Sequence, residues 1–196
     1  MGTRFHFFCS SMIEVVDDFA PKEYFDLITY GCLGCNQTWY YQKNITAGVW
    51  ESEGLGKHGF NCWIVQQPNT FNDNYAAGLL TDLITNMQKS LGCQNVIRSR
   101  LDMTMYTPGG RKCEAHIDSL NQHVATIFYL NDSDGNTVIY NEKFEGDTKI
   151  DQSKLTIKKE IEPKANRLVI FDGLYLHTGH VPQNHNTRVI LNSNFN

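Results

Sequence analysis

The chain has 196 residues, of which 41% are hydrophobic, 12% aromatic and 19% charged, the balance of a folded globular protein and not of a disordered one. Its formal net charge of −4 lacks the basic excess that drives non-specific nucleic-acid binding. The length suits one domain with its own core, and no run approaches the roughly 20 apolar residues of a membrane span.

In chain order, "MGTRFHFFCSSM" has no apolar signal-peptide core, and His6 breaks the myristoylation pattern, so the expectation is a soluble, cytoplasmic protein. Asp17 to Tyr30 opens with Asp and Pro and spaces Tyr24, Phe25, Leu27 and Ile28 as a helix does. Cys32 and Cys35 form a C-x-x-C, but no second ligand pair or βαβ context accompanies it. With Cys9, Cys62, Cys93 and Cys113 they read as free thiols. The stretch "GVWESEGLGKHGFNCWIVQQPN", with Trp39 just before it and Trp50 and Trp63 inside it, reads as loops carrying core tryptophans, with a substrate lid as the other reading. Asn74 to Leu91 is a second amphipathic helix with Leu79, Leu80, Leu83, Ile84 and Met87 on one face, stopped by Gly92.

After Gly92 the period changes to alternation. In "NVIRSRLDMTMY", Ile97, Leu101, Met103 and Met105 share one parity, while Arg98, Arg100, Asp102, Thr104 and Tyr106 share the other. Val124–Leu130, Thr137–Tyr140, Lys154–Glu162, Arg167–Phe171 and Arg188–Phe195 follow as strands between Gly, Pro, Asn and Asp turns. The expected fold is α+β but mainly β: a jelly roll supported by amino-terminal helices. Residues 1–196 are expected to form one domain, helical over about 1–93 with the β core over about 94–196.

His116 and Asp118, in "EAHIDSL", would project to the same side of a strand, but H-x-D alone favours an exposed strand with a side-chain hydrogen bond over chemistry and needs corroboration. The stretch "RLVIFDGLYLHTGHVPQNHNTRVIL" supplies His177 and Arg188. Two histidines and a carboxylate with open positions are the facial triad of non-haem Fe(II) oxygenases, and an arginine offers the fork that a carboxylate cosubstrate needs.

Here the chain resembles the 2-oxoglutarate- and Fe(II)-dependent dioxygenases, especially their prolyl 4-hydroxylase-like branch. The resemblance spans about residues 95–196. "YTPGG" ahead of "HID", then "ATIFYLND", "DGNTVIY", "IEPKANRLVIF" and "HTGHVPQNHNTR" match in order; "VVDDFAPKEYFDLI" matches the helical opening more weakly. The resemblance implies a double-stranded β-helix, with His116, Asp118 and His177 as iron ligands and Arg188 as the 2-oxoglutarate anchor. Tyr106 and Tyr129 match cosubstrate-binding tyrosines. His177 is preferred to His180 as distal ligand on the H-x-G-x-x-P pattern, and His6, His58, His123 and His185 are assigned structural or surface places. The usual Gly-Gly of the middle strand is Gly135-Asn136 here. Fe(II) and 2-oxoglutarate are the implied cofactors, with ascorbate as a candidate reductant.

The implied reaction is hydroxylation of a polar substrate with release of succinate and CO2. A peptidyl proline or other protein side chain leads, and a small molecule such as a free amino acid comes second. Nucleic-acid demethylation is disfavoured because Asn194 and Thr104 stand where such enzymes carry Arg and Asn. A non-catalytic, metal-retaining jelly-roll binding module is the rival from another class. Alternation puts Arg100, Asp102 and Thr104 at the substrate pocket if Tyr106 faces the iron, or leaves Arg100 and Asp102 paired on a solvated strand end.

Overall fold

In a computed structural model of the chain, residues 13–45, 58–109, 113–146 and 150–196 are described. His6, Cys9 and Trp50 lie outside them.

Helix α1 (Lys22–Cys32) starts directly after Pro21, whose missing N–H costs nothing at a helix start. Helix α2 (Tyr75–Leu91) is capped at both ends. Asn74 accepts a hydrogen bond from the Ala77 N–H (2.9 Å). Gly92 closes the helix at φ 67°, a left-handed conformation that needs no Cβ.

The strands are β1 (Glu14–Val16), β2 (Tyr40–Gln42), β3 (Gly59–Gln67), β4 (Thr70–Phe71), β5 (Val96–Met105), β6 (Val124–Tyr129), β7 (Thr137–Lys143), β8 (Ile157–Ile161), β9 (Leu168–Asp172), β10 (Tyr175–Gly179) and β11 (Thr187–Phe195). They form an eight-stranded sheet ordered β1-β9-β6-β11-β5-β3-β2, with β4 beside β3, and a three-stranded sheet ordered β10-β7-β8. The named pairings are antiparallel. This is the expected mainly β jelly roll with amino-terminal helices.

Strand alternation divides the interior into two cores. Phe128, Leu168, Ile170, Leu101 and Leu191 face the helices, where they meet Ile28, Leu80, Leu83, Ile84 and Met87. Phe128 takes the rings of Phe19 and Phe25 edge-on at 6.2 and 5.9 Å, a favoured aromatic geometry. The opposite parity, Ala125, Ile127, Tyr129, Val169, Phe171 and Ile190, faces the smaller sheet with Ile139, Ile161 and Tyr175. The large sheet is therefore covered on both faces, and β11 is buried from Arg188 to Phe195.

Two expectations need amendment. Residues before 94 supply not only the helices but also β1 to β4, of which β3 is an interior strand between β5 and β2. Trp63 accordingly stands on a strand, half-buried, and not on a loop, while Trp39 packs half-buried against the helix-side core. Of the two readings of the polar parity of β5, the structure has the enclosed one: it faces the space between the sheets, where Asp102 and Thr104 are buried.

Candidate metal and cosubstrate site

His177 lies on β10, and His116 precedes Asp118 on a segment that pairs with it. The His116 N–H donates to the His177 carbonyl (2.9 Å) and the His177 N–H returns the bond (3.0 Å), so the two histidine backbones are stapled together. Their rings sit 5.0 Å apart.

Each imidazole is fixed through its own backbone neighbour. Nδ1 of His116 lies 3.1 Å from the Glu114 carbonyl, and Nδ1 of His177 lies 3.0 Å from that of Tyr175. A carbonyl only accepts, so both Nδ1 atoms carry a proton and Nε2 is the atom each ring has left to offer a metal. Burial, reinforced by the neighbouring His177, pulls His116 down to about 4, so the ring is neutral as a ligand must be.

Asp118 is equally enclosed. Burial alone would push its carboxyl up, but the Arg98 guanidinium, 3.3 Å from Oδ1, helps to hold it well below the usual carboxylate range. Asn192 Nδ2 donates to Oδ2 at 3.1 Å. One ligand atom from each of His116, Asp118 and His177 falls within 4.8 Å of the other two, so the three can share one metal ion. Two imidazoles, one carboxylate and open space beside them fit Fe(II). His180, the other candidate distal ligand, lies outside this cluster.

Beside the cluster opens a cleft onto which His116, Asp118 and His177 all face. It is lined in part by Arg100, Asp102 and Thr104 of β5 and by Arg188, Ile190 and Asn192 of β11, positions of one parity on neighbouring strands. Arg188 is 4% exposed. Its Nη2 donates to Thr137 Oγ1 (2.8 Å), which also accepts from the Tyr129 hydroxyl (2.6 Å), and Tyr129 lies under the guanidinium at 5.6 Å. Its Nε is buried without a hydrogen-bond partner among the described residues. A buried guanidinium with bonding capacity to spare fits a carboxylate ligand. Gly135 and Gly179 make room for it: a Cβ at either would stand 2.9 Å from Arg188 atoms.

The cleft thus joins His116, Asp118, His177, Arg188, Arg100, Asp102 and Thr104. Tyr129 sits beneath Arg188. Tyr106 does not join them. β5 ends at Met105, the Tyr106 N–H bonds to the Asn186 carbonyl, and the side chain is 52% exposed and absent from the cleft lining. Arg100 and Asp102 do pair, with Nη2 donating at 3.1 Å and Nε 2.6 Å from Oδ1, but inside the cleft wall and not on a solvated end. Arg98, Thr137 and Asn192 were not singled out from sequence, although the parity of Arg98 with Arg100 and of Asn192 with Arg188 carried a signal for two of them. His123 is buried, His185 bonds to Asp134, and His58 stacks on Tyr41.

The 2OG-Fe(II) oxygenase superfamily model matches residues 101–196, the stretch that carries all three candidate ligands and Arg188. Over that stretch the chain belongs to the 2OG-Fe(II) oxygenase superfamily. Membership implies Fe(II) and 2-oxoglutarate as cofactors, and the donor set fits both. No curated protein sequence matches the chain. A Pseudomonas putida prolyl-4-hydroxylase is similar in structure, with 18% identity, TM-score 0.57 and 93% of this chain covering 91% of that one. So is a prolyl hydroxylase from Trichoplax adhaerens, solved with a hypoxia-inducible-factor oxygen degradation domain peptide, at 15% identity, TM-score 0.57 and coverages of 93% and 82%. A non-haem α-ketoglutarate-dependent epimerase of nogalamycin biosynthesis, SnoN, is 10% identical at TM-score 0.60, with coverages of 93% and 77%. At these identities the likeness speaks for the oxygenase fold. No helix among the described residues is long and apolar enough to cross a membrane.

Proposed function

We propose that this oxygenase hydroxylates a polar substrate, with His116, Asp118 and His177 holding Fe(II) and Arg188 holding the distal carboxylate of 2-oxoglutarate. The observation that carries it is the shared cleft: a His–Asp–His cluster and a buried guanidinium with spare donors open onto the same space. Bound there, iron and 2-oxoglutarate would supply oxidation of a substrate C–H bond by dioxygen, with one oxygen atom entering the substrate and the other entering succinate as CO2 leaves.

The chain's own residues orient and exclude. Glu114 and Tyr175 carbonyls hold the imidazoles in the Nδ1–H tautomer, and Arg98 and Asn192 hold the Asp118 carboxylate. Thr137 and Tyr129 fix the Arg188 fork, and Ile127 and Ile190 supply apolar lining that limits water. Thr104, opposite Arg188 in the strand register, adds a hydroxyl on the cosubstrate side.

The wall formed by Arg100 and Asp102 supports a polar acceptor molecule. A peptidyl proline is the second reading, supported by the prolyl hydroxylases among the fold relatives, one of them bound to a peptide. The test is succinate formation from 2-oxoglutarate and Fe(II), with and without candidate acceptors. Turnover that needs iron and rises with an acceptor supports the reading; a protein that binds metal but does not decarboxylate 2-oxoglutarate is instead a metal-retaining binding module, and one that neither binds iron nor decarboxylates 2-oxoglutarate overturns the reading.

A further inference from the structure

Two charged residues of the cleft wall serve neither the metal cluster nor Arg188. Arg100 and Asp102 lie two residues apart on β5, with side chains 17% and 9% exposed, and both line the cleft. Burying an ion pair takes two charges from water and returns little stability unless the site has a further use for them. The pair is held rigidly. The Trp63 ring covers the Arg100 guanidinium at 5.2 Å, and Arg100 Nη2 also donates to the Ile45 carbonyl at 3.2 Å.

Bonding capacity remains unspent. Asn192 Oδ1, on a residue 8% exposed, has no partner among the described residues. Asp102 Oδ1 lies close to Arg100 Nε but out of line for a hydrogen bond. Both atoms only accept, so what they lack is an N–H or O–H donor.

The charge balance adds a second requirement. Arg98, Arg100 and Arg188 face Asp102 and Asp118, leaving one positive charge in and around the cleft. Fe(II) and the 2-oxoglutarate dianion cancel each other, so that charge persists in the loaded site. A group entering it is favoured if it is an anion.

We propose that the substrate is a small acid whose carboxylate meets Arg100 while an amine or hydroxyl on the neighbouring carbon donates to Asp102 and Asn192: a free α-amino acid or 2-hydroxy acid. The inference rests on the oxygenase reading and narrows it. A capped peptidyl proline offers neither charge nor an N–H at its tertiary amide, and would leave this wall unsatisfied.

The test uses the full chain loaded with Mn(II) and 2-oxoglutarate without oxygen, titrated calorimetrically with the standard L-amino acids, lactate and malate. Their methyl esters and a capped Gly-Pro-Gly peptide are compared, and succinate formation is then measured with Fe(II) in air. At least one free acid is expected to bind and to raise succinate formation about tenfold, and its ester to bind at least about tenfold more weakly. Arg100→Gln should weaken the acid by about 10- to 100-fold and the ester far less, a difference that general damage to the fold would not produce. Failure of every free acid to bind, equal binding of acid and ester, or preference for the capped peptide each overturns the proposal. If 2-oxoglutarate binds and is decarboxylated in such a case, only this inference falls; if it is neither bound nor decarboxylated, the oxygenase reading falls with it.

Discussion

Asp118 separates metal chemistry from mere polarity at the level of single residues. Asp118→Ala should remove metal binding and with it all succinate formation, as measured by metal content after dialysis and by 2-oxoglutarate turnover. Arg188→Gln should leave the metal in place and raise the KM for 2-oxoglutarate about 10- to 100-fold, the cost of a charge-assisted bond to a carboxylate. His116, Asp118, His177 and Arg188 were legible in the sequence because each is a ligand type at a motif spacing. Arg98 and Thr137 were not, because they act across strands: Arg98 reaches Asp118 from β5, and Thr137 gathers Arg188 and Tyr129 from two other strands. The cysteines follow a simpler physics. Burial pushes the Cys32 thiol up to about 12, whereas Cys35 is exposed. Native-state labelling with a thiol reagent should therefore modify Cys35 and spare Cys32 and Cys62 until the protein unfolds; fast modification of Cys32 in the native protein would contradict its placement.

Caps and glycines govern the elements. Asn74→Ala removes the acceptor for the Ala77 N–H at the start of α2 and should cost about 1 kcal/mol in urea unfolding, with little effect on the cleft. Gly135→Ala would act differently. Its Cβ would collide with the His180 carbonyl and press on Arg188 Cδ, so stability should fall by about 1–3 kcal/mol and 2-oxoglutarate binding should weaken with it. The same contrast explains which elements were readable. α2 carries a cap, a periodic apolar face and a glycine stop, and β5 and β6 alternate because each parity meets a different core. β3 hides its type: α2 covers one face, and a register shift near Trp63 and Val65 breaks its alternation. β10 is short and buried over Tyr175–Thr178, so no period remains to see.

Across the whole molecule, the helical half is tied to the jelly roll by contacts about 150 residues apart. Asn166, left-handed at φ 63°, exchanges two hydrogen bonds with the Ala20 backbone, both 2.8 Å, in the turn before β9. Asp17 meets Arg167 at 2.6 Å and Lys164 at 3.0 Å beside it. The bond from Arg167, then that from Lys164, lowers the Asp17 carboxyl to about 2 from an ordinary 3.8. A depressed carboxylate stabilises the fold fully above its unfolded value, and that contribution drains away as pH falls from about 4 towards 2. Asp17 is 39% exposed, so solvent screening limits the pair to about 0.5–1 kcal/mol. Asp17→Asn should therefore lower the unfolding free energy measured in urea at pH 7 by that amount, and the gap to the parent protein should narrow below pH 4. A gap that stays constant from pH 7 to pH 3 would show that the loss came from packing in the turn and not from the charge.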